Sequence, residues 1–239
     1  MSNNDPFVMD SPKRIICILG MHRSGTSCLT GSLQEAGLYL GDCHTWNPFN
    51  LKGNRENQEF VDLHDDILAE NGGSWDHPPS TVRWSPQLTQ RAHDILARYR
   101  DADVMGFKDP RTLLLLEGWK AVTDRLEFVG IFRHPNAVAG SLKRRSHLDR
   151  KASLALWYAY NKALYREYCR QPFPLLCFDD PEEIFQAKLE GVIQRMGLKT
   201  SAGEQDFYDS DLKLYDSNAT PRLPWKVRRL YDRLCDASL

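Results

Sequence analysis

Segments with the pattern of buried strands and segments with the pattern of amphipathic helices alternate along this sequence. An uninterrupted apolar run over 14–19 ends at Gly20, which is typical of a strand buried on both faces. The next segment, 25–36, places Leu29, Leu33 and Ala36 on one stripe and predicts a helix. The same criteria predict further strands at 104–107, 127–132 and 174–178, and further helices at 56–70, 88–99, 112–123, 135–147, 153–169, 182–196 and around 227–234.

This alternation predicts an α/β fold. We expect a P-loop-type three-layer sandwich, in which helices flank a central, mostly parallel β-sheet of about four to five strands. The sequence shows no internal repeat and no low-complexity tract. We therefore expect one domain over 14–239, preceded by a disordered leader at 1–13.

Two segments rich in glycine, proline and asparagine, 39–55 and 72–86, are predicted to be long loops, the first of them over a functional site. Their aromatic residues are Tyr39, Trp46, Phe49, Trp75 and Trp84. Such rings could stack on a sugar, line an apolar pocket or only pack the loops. The sequence leaves these three alternatives open.

The composition narrows the classes of partner. The 239 residues include 31 Lys and Arg against 32 Asp and Glu, so no overall charge favours nucleic acid or an anionic membrane, and any anion site must be local. The six cysteines show no CxxC pairing, which predicts reduced thiols and argues against a zinc site. No apolar run approaches the ~20 residues of a membrane span, and no signal peptide is visible at the start. We therefore expect a cytoplasmic protein.

The loop after the first strand has the frame of a phosphate-binding P-loop. In GMHRSGTS, residues 20–27, four residues separate Gly20 from Gly25, and Ser27 supplies a hydroxyl. Thr26 stands where a nucleotide-hydrolysing P-loop has lysine, whereas Arg23 lies inside the loop and can hold two anionic oxygens with its planar guanidinium. The backbone N–H groups and the helix N-terminus favour a phosphate or sulfate oxygen.

Charged clusters also follow two other predicted strands. KDPR at 108–111 follows the second strand, and RHP at 133–135 follows the third. Ligands of a parallel sheet bind at the carboxyl ends of its strands, so we expect these clusters and the loop to touch one ligand. Simpler interpretations remain for each part: an ordinary βα turn, a surface network of Lys108 and Arg111 with Asp109, a strand cap for Arg133, and an ordinary helix hydroxyl for Ser141.

Together these segments resemble the sulfotransferases that use 3'-phosphoadenosine 5'-phosphosulfate (PAPS), in particular their bacterial, carbohydrate-type branch. GMHRSGTS is similar to the 5'-phosphosulfate loop of that family, and FRHPNAVAGSL is similar to its 3'-phosphate motif, with Arg133 and Ser141 eight residues apart. NLKGNREN and GFKDPRTLLL resemble further segments of the family. The resemblance implies that Arg133 and Ser141 bind the 3'-phosphate, and that the 5'-phosphosulfate is held by His22, Arg23, Ser24, Gly25, Thr26 and Ser27. Adenosine 3',5'-bisphosphate (PAP) would be the product.

The resemblance also implies the catalytic roles. Arg23 and Lys108 would stabilise charge on the departing oxygen, and Glu56 would take the proton from an acceptor hydroxyl, without a metal ion. Glu56 could instead be an acidic residue favoured at a helix start. His44 is the rival base because an imidazole has a suitable pKa, and Asp109 is a third possibility.

Two other functions stay open at this point. One is a P-loop kinase for a small molecule that uses ATP, with Ser27 and Asp109 holding Mg²⁺. The other is a nucleotide-binding protein without catalysis. The sequence leaves the acceptor open among a glycan, a lipid-linked sugar and an aromatic or aliphatic alcohol, and it predicts no oligomeric state.

Overall fold

The computed structural model describes residues 11–44, 53–199 and 221–239. Most of the predicted leader, the aromatic residues Trp46 and Phe49, and the NLK part of NLKGNREN lie outside these ranges. In chain order the elements are β1 (Arg14–Leu19), α1 (Thr26–Glu35), α2 (Gln58–Glu70), α3 (Pro86–Ala97), β2 (Val104–Lys108), α4 (Thr112–Val122), β3 (Leu126–Phe132), α5 (Pro135–Ser146), α6 (Arg150–Arg170), β4 (Leu175–Cys177), α7 (Glu182–Arg195) and α8 (Trp225–Ala237).

The strands form one sheet in the order β2-β1-β3-β4. β1 pairs with β2 in parallel from Arg14 opposite Val104 to Ile18 opposite Lys108, and β3 pairs with β4 in parallel from Gly130 opposite Leu175. The apolar residues of β1 are fully buried, as the unbroken apolar run indicated. The predicted α/β fold, with a mostly parallel sheet flanked by helices, is confirmed.

Capping residues decide where two helices begin. The side chain of Asn57 accepts a hydrogen bond from the N–H of Glu59, so α2 begins at Gln58. The expectation that Glu56 lies in the first turn of this helix is therefore wrong. Asp149 accepts from the N–H of Ala152 in the same way, and α6 begins three residues before the predicted position.

Two compact units are present. The first comprises Met1–Ile18 and Leu38–Phe128, and the second comprises Leu19–Gly37 and Val129–Leu239. In the core of the first unit, Phe60 stacks on Phe107 with 4.4 Å between ring centroids, and Trp119 packs beside them. In the core of the second unit, Trp157 and Tyr160 are fully buried. The single domain over 14–239 stays a prediction.

Within the described ranges, no helix has the length and apolar character needed to cross a lipid bilayer. The same residues contain no group of three or more His, Cys, Asp or Glu side chains placed to hold a metal ion.

Candidate active site

The GMHRSGTS loop of the second unit has an unusual backbone. Arg23 adopts a φ of 66° and Gly25 a φ of 87°, both in the left-handed region. A Cβ at Gly25 would overlap the ring of Phe178, so glycine is required there for conformation and for space. Arg23 has no such freedom, and its left-handed conformation is costly for a residue with a side chain. Such conformations concentrate at functional sites, and the binding role predicted for this loop is one that such a conformation can serve.

Arg23 is a half-buried cation with other arginines nearby. Its Nε donates a hydrogen bond to the Ser141 hydroxyl at 2.8 Å. Burial, followed by the charges of Arg145, Arg133 and Arg144, lowers the pKa of Arg23 to about 10. No carboxylate in the described part of the chain pairs with this guanidinium. A bound anion would reverse both unfavourable effects, so this position favours a negatively charged ligand.

The hydroxyl residues of the loop differ in what they contact. Ser24 is fully buried, and its hydroxyl makes no hydrogen bond to any described residue. An unsatisfied buried hydroxyl is costly, and a ligand oxygen would remove that cost. Thr26 is also buried, and a Cβ on Gly20 would lie only 2.6 Å from its Cγ2 methyl carbon. The residue in the place of the P-loop lysine therefore packs against the loop backbone.

His22 and Ser27 are the other two loop side chains that are predicted to bind the donor. The ring of His22 contacts that of Tyr160 edge to face, with 5.9 Å between centroids. Ser27 lies in the first turn of α1 and is half-buried. The first N–H groups of a helix have no partner within it, and they point toward any anion held by the loop.

Arg133 is held in place from two sides. Its guanidinium lies over the Phe178 ring at 5.0 Å from the centroid, and its Nε lies 3.3 Å from Asp179 Oδ1. Asp179 also accepts a 2.6 Å hydrogen bond from the backbone N–H of His134. The second unit therefore contains the loop, Arg133 and Ser141, with Ser141 hydrogen-bonded to Arg23. That these residues bind a donor stays a prediction.

Sequence reasoning missed the roles of Phe178 and Asp179. Both directly follow β4, and Phe178 contacts Gly25 as well as Arg133. The signal that identified the other clusters, a charged residue after a strand, was present here too. The sequence analysis predicts only a helix after these residues, and α7 begins three residues after Asp179.

The first unit contains the predicted cation Lys108 and the predicted base Glu56. Lys108 Nζ donates to Glu56 Oε1 at 2.8 Å, and the two side chains are 2% and 16% exposed. The alternative interpretation, in which Lys108 belongs to a surface network, is wrong because the side chain is buried. The pair has the chemistry of a base held beside a cation. It stays a prediction that these groups act on an acceptor.

Asp109 is the centre of a buried network. Its Oδ2 lies 3.0 Å from His64 Nδ1, and Trp119 Nε1 donates to His64 Nε2 at 2.8 Å. Because an indole N–H only donates, Nε2 accepts, and the proton of a neutral His64 is on Nδ1 and points to Asp109. Arg111 donates to both carboxylate oxygens at 2.9 and 3.1 Å, and also through its backbone N–H.

Burial alone would raise the pKa of Asp109, but the hydrogen bond from His64 and then the charge and backbone hydrogen bond of Arg111 hold it well below its usual range. Arg111 is paired further with Asp65 at 2.6 Å. The interpretation of Asp109 as a structural partner of a flanking cation agrees with these contacts. With no exposed surface and with both oxygens occupied, Asp109 is poorly placed to accept a proton or to hold Mg²⁺.

His44, the rival base, lies beside Glu56 along the backbone. The N–H of His44 donates to the carbonyl of Glu56 at 2.9 Å, and the N–H of Arg55 donates to the carbonyl of His44 at 3.0 Å. The His44 ring is exposed, and its Nε2 lies 2.8 Å from Gln58 Oε1. Both candidate bases therefore lie on one pair of extended segments in the first unit.

Two of the predicted loop aromatics have defined partners in the first unit. Trp84 packs on Trp119 with 5.4 Å between centroids and covers Gly118. Tyr39 is 52% exposed and contacts Tyr99 edge to face. Of the alternatives for these rings, loop packing fits Trp84, whereas Tyr39 retains an exposed surface.

Comparisons with known proteins give a likeness in structure but none in sequence. No family model matches the chain, and no curated protein matches it. Among solved structures, the sulfotransferase domain from the Synechococcus PCC 7002 olefin synthase is similar, with a TM-score of 0.58 and 16% identity over 95% of this chain and 96% of that chain. At this identity the likeness shows the fold alone: this chain and that domain share an α/β fold along nearly their whole lengths.

Proposed function

We propose that this protein is a sulfotransferase that moves a sulfuryl group from PAPS to a hydroxyl of a carbohydrate or another small acceptor. One observation carries the proposal. Arg23 is a half-buried cation with no carboxylate partner among the described residues, it adopts a left-handed conformation, and it lies in a P-loop frame that lacks the usual lysine. The motif resemblance and the likeness in fold support the same conclusion.

The residues of the second unit fit an anionic donor. The buried Ser24 hydroxyl and the Arg23 guanidinium would hold the 5'-phosphosulfate, together with His22, Gly25, Thr26, Ser27 and the N-terminus of α1. Arg133 and Ser141 would hold the 3'-phosphate. Asp179 then has a positioning role, because it fixes the Arg133 guanidinium against the Phe178 ring.

The donor supplies an activated sulfuryl group, whose transfer is an in-line displacement with a loose transition state. This chain would contribute charge stabilisation and proton transfer. Arg23 and Lys108 would stabilise the negative charge on the departing oxygen, and Glu56 would accept the proton of the acceptor hydroxyl. The Glu56 carboxylate is held in place by the hydrogen bond that it accepts from Lys108 Nζ. His44 is the alternative base.

The kinase hypothesis is disfavoured by the contacts of one residue. It requires Asp109 as a ligand of Mg²⁺, but His64 and Arg111 already occupy both oxygens of that buried carboxylate. Opening this network would leave Arg111 with one carboxylate partner fewer.

The function is tested by calorimetric titration with PAP and with ATP, each in the presence of either EDTA or Mg²⁺. We expect PAP to bind equally well with EDTA, and a sulfate-labelled donor to transfer its label to acceptors in fractionated cell extract. A requirement for Mg²⁺ and turnover of ATP would overturn the proposal in favour of a kinase. Binding of PAP without transfer to a broad acceptor panel would favour a non-catalytic binder.

A further inference from the structure

One turn of α6 contacts both anion-binding segments of the second unit. Trp157 Nε1 donates a hydrogen bond to the carbonyl of Arg133, the residue that follows β3, at 3.0 Å. One turn later, Asn161 Nδ2 lies 3.9 Å from the sulfur of Met21 in the GMHRSGTS loop. Positions 157 and 161 share one face of a helix. A single rigid turn therefore contacts both the loop and the residue after β3.

Asparagine is an unfavourable residue at the position that Asn161 occupies. The side chain is fully buried, as are those of Trp157 one turn before it and Leu164 one turn after it. An asparagine within a helix has a low helix propensity, and burial removes its amide from water. A leucine has a similar branched shape and meets neither cost. This cost indicates a role for the amide other than stability of the fold.

The contacts of the Asn161 amide fix its orientation. Because the carbonyl of Trp157 only accepts, the atom that lies 2.9 Å from it is the donor Nδ2. The helix itself already gives this carbonyl a partner, the backbone N–H four residues later, so the side chain is not needed to complete the helix. Oδ1 is buried and has no hydrogen-bond partner among the described residues. The contact that the amide adds is therefore the one with Met21.

The loop requires support at this point because its backbone is strained. Arg23 adopts a φ of 66°, and such a conformation persists only where the surrounding structure holds it. Met21 lies two residues before Arg23 and is fully buried. A side chain that holds Met21 therefore fixes the start of the left-handed stretch.

We propose that the α6 turn from Trp157 to Asn161 positions the two anion-binding segments of the second unit. The Asn161 amide is the positioning group for the loop, and the Trp157 indole is the positioning group for Arg133. Both side chains act through the residues that they hold, Met21 and Arg133, and not through the reacting atoms. The inference rests on the proposed function, because it concerns the geometry of the donor site.

The two contacts predict different ligand dependences. The loop would hold the 5'-phosphate of a nucleotide, and Arg133 would hold the 3'-phosphate. We expect Asn161→Leu to bind PAP and adenosine 5'-monophosphate about tenfold less tightly, because a displaced loop no longer fits its anion. Its affinity for adenosine 3'-monophosphate should stay within about twofold. Trp157→Phe, which removes the indole N–H, should show the opposite preference between the two monophosphates.

The test uses the full chain with Asn161→Leu, Trp157→Phe and Ser153→Ala. Ser153 is the matched control, because it is a fully buried polar residue of the same helix whose hydroxyl has no hydrogen-bond partner in the described ranges. Calorimetry measures PAP affinity, NMR titration measures the affinity for each monophosphate, and urea unfolding measures stability. We expect Asn161→Leu to keep or raise the urea midpoint, and Ser153→Ala to keep all three affinities.

The pattern across the three nucleotides separates positioning from a purely structural role. An equal loss of affinity for all three in Asn161→Leu, together with a lower urea midpoint, would overturn the positioning role. Unchanged PAP affinity in this variant would also overturn it, while the proposed function stands.

A second measurement keeps the inference independent of donor binding. If the unmodified chain binds no PAP, the proposed function fails, and the backbone amide NMR signals of loop residues 22–27 are compared between the unmodified chain and Asn161→Leu. Shifted signals would support the positioning of the loop by Asn161, and unchanged signals would overturn it.

Discussion

The two units of this protein differ in how the charges of their candidate site residues are compensated. In the first unit, Lys108 has Glu56, Arg111 has Asp65 and Asp109, and Asp109 also has His64. In the second unit, Arg23 is half-buried near other arginines, and among the described residues its guanidinium contacts the Ser141 hydroxyl and no carboxylate. The first arrangement is complete without a ligand, whereas under the proposed function the second would be completed by an anion.

This difference separates charged groups that stabilise the fold from a charged group that can bind a ligand. A compensated buried network stabilises the fold and fixes geometry, and breaking it leaves uncompensated charge. An uncompensated cation in a strained loop contributes little to the fold and is available for binding. Substitutions in the first network should therefore appear mainly in unfolding, and substitutions in the loop mainly in binding and rate.

The largest effect is expected at Arg23. We expect Arg23→Ala to lower kcat/KM about 10³-fold, equivalent to about 4 kcal/mol, because donor binding and charge stabilisation both lose their cation. Its free energy of unfolding should change by less than about 0.5 kcal/mol. Steady-state kinetics and urea unfolding measure the two quantities. Arg195→Ala, at an exposed position of α7, is the control, and a comparable loss of kcat/KM in it would contradict the interpretation.

The second-largest effect is expected from a substitution that breaks the compensated network around Asp109. We expect Asp109→Asn to lower the free energy of unfolding by about 3 kcal/mol at pH 7, because His64 and Arg111 lose their common partner. Asp66→Asn, which removes an exposed partner of Arg91, should cost less than about 1 kcal/mol. Urea unfolding of both variants measures the difference, and equal costs would show that burial and pairing of Asp109 do not matter.

The same variant has a defined pH dependence. The pKa of Asp109 is lowered in the folded state, so the carboxylate stabilises the fold at pH values above its unfolded pKa of about 3.9. That contribution disappears as pH falls toward the folded-state pKa. The difference in unfolding free energy between the unmodified chain and the Asp109→Asn variant should therefore shrink below about pH 4.

The sequence predicted the framework of both regions because their signals are local. The run at 14–19 coincides with β1, and the loop, Arg133 and Ser141 lie in one unit. Apolar periodicity, glycine spacing and the residue after a strand are all visible within a few positions of one another.

The features that the sequence did not predict are contacts between residues far apart along the chain. His64 meets Asp109 across 45 residues, and Trp119 meets His64 across 55. The position of a histidine on the apolar face of a predicted helix indicates that its side chain is buried. It does not indicate which carboxylate that side chain contacts. The sequence predicts that Arg133 binds a ligand, but it does not predict the partner of Arg133, because Asp179 is 46 residues away. Pairing of this kind is a property of the packed structure, and no local pattern encodes it.

The third-largest effect is expected at Glu56, the proposed base in the first unit. We expect Glu56→Gln to lower kcat about 10²-fold while PAP affinity stays unchanged, because a glutamine cannot accept the proton. Lys108 loses its ionised partner, so measurements must be made well below the unfolding temperature. His44→Gln is the matched variant on the paired segment. A large loss of kcat in His44→Gln, with full activity in Glu56→Gln, would move the base to His44.

The smallest effect is the sharpest test of the contrast, because it compares two buried serines of the second unit. The hydroxyls of Ser24 in the loop and Ser32 in α1 are both buried without a hydrogen-bond partner among the described residues. Replacing either with alanine removes an unsatisfied polar group, so unfolding should change by less than about 0.5 kcal/mol in both. If an anion completes the loop, only Ser24→Ala should weaken PAP binding, by about tenfold or about 1.4 kcal/mol. Equal PAP affinity in the two variants would show that the buried Ser24 hydroxyl does not meet the ligand, and the loop would then bind through Arg23 and backbone groups alone.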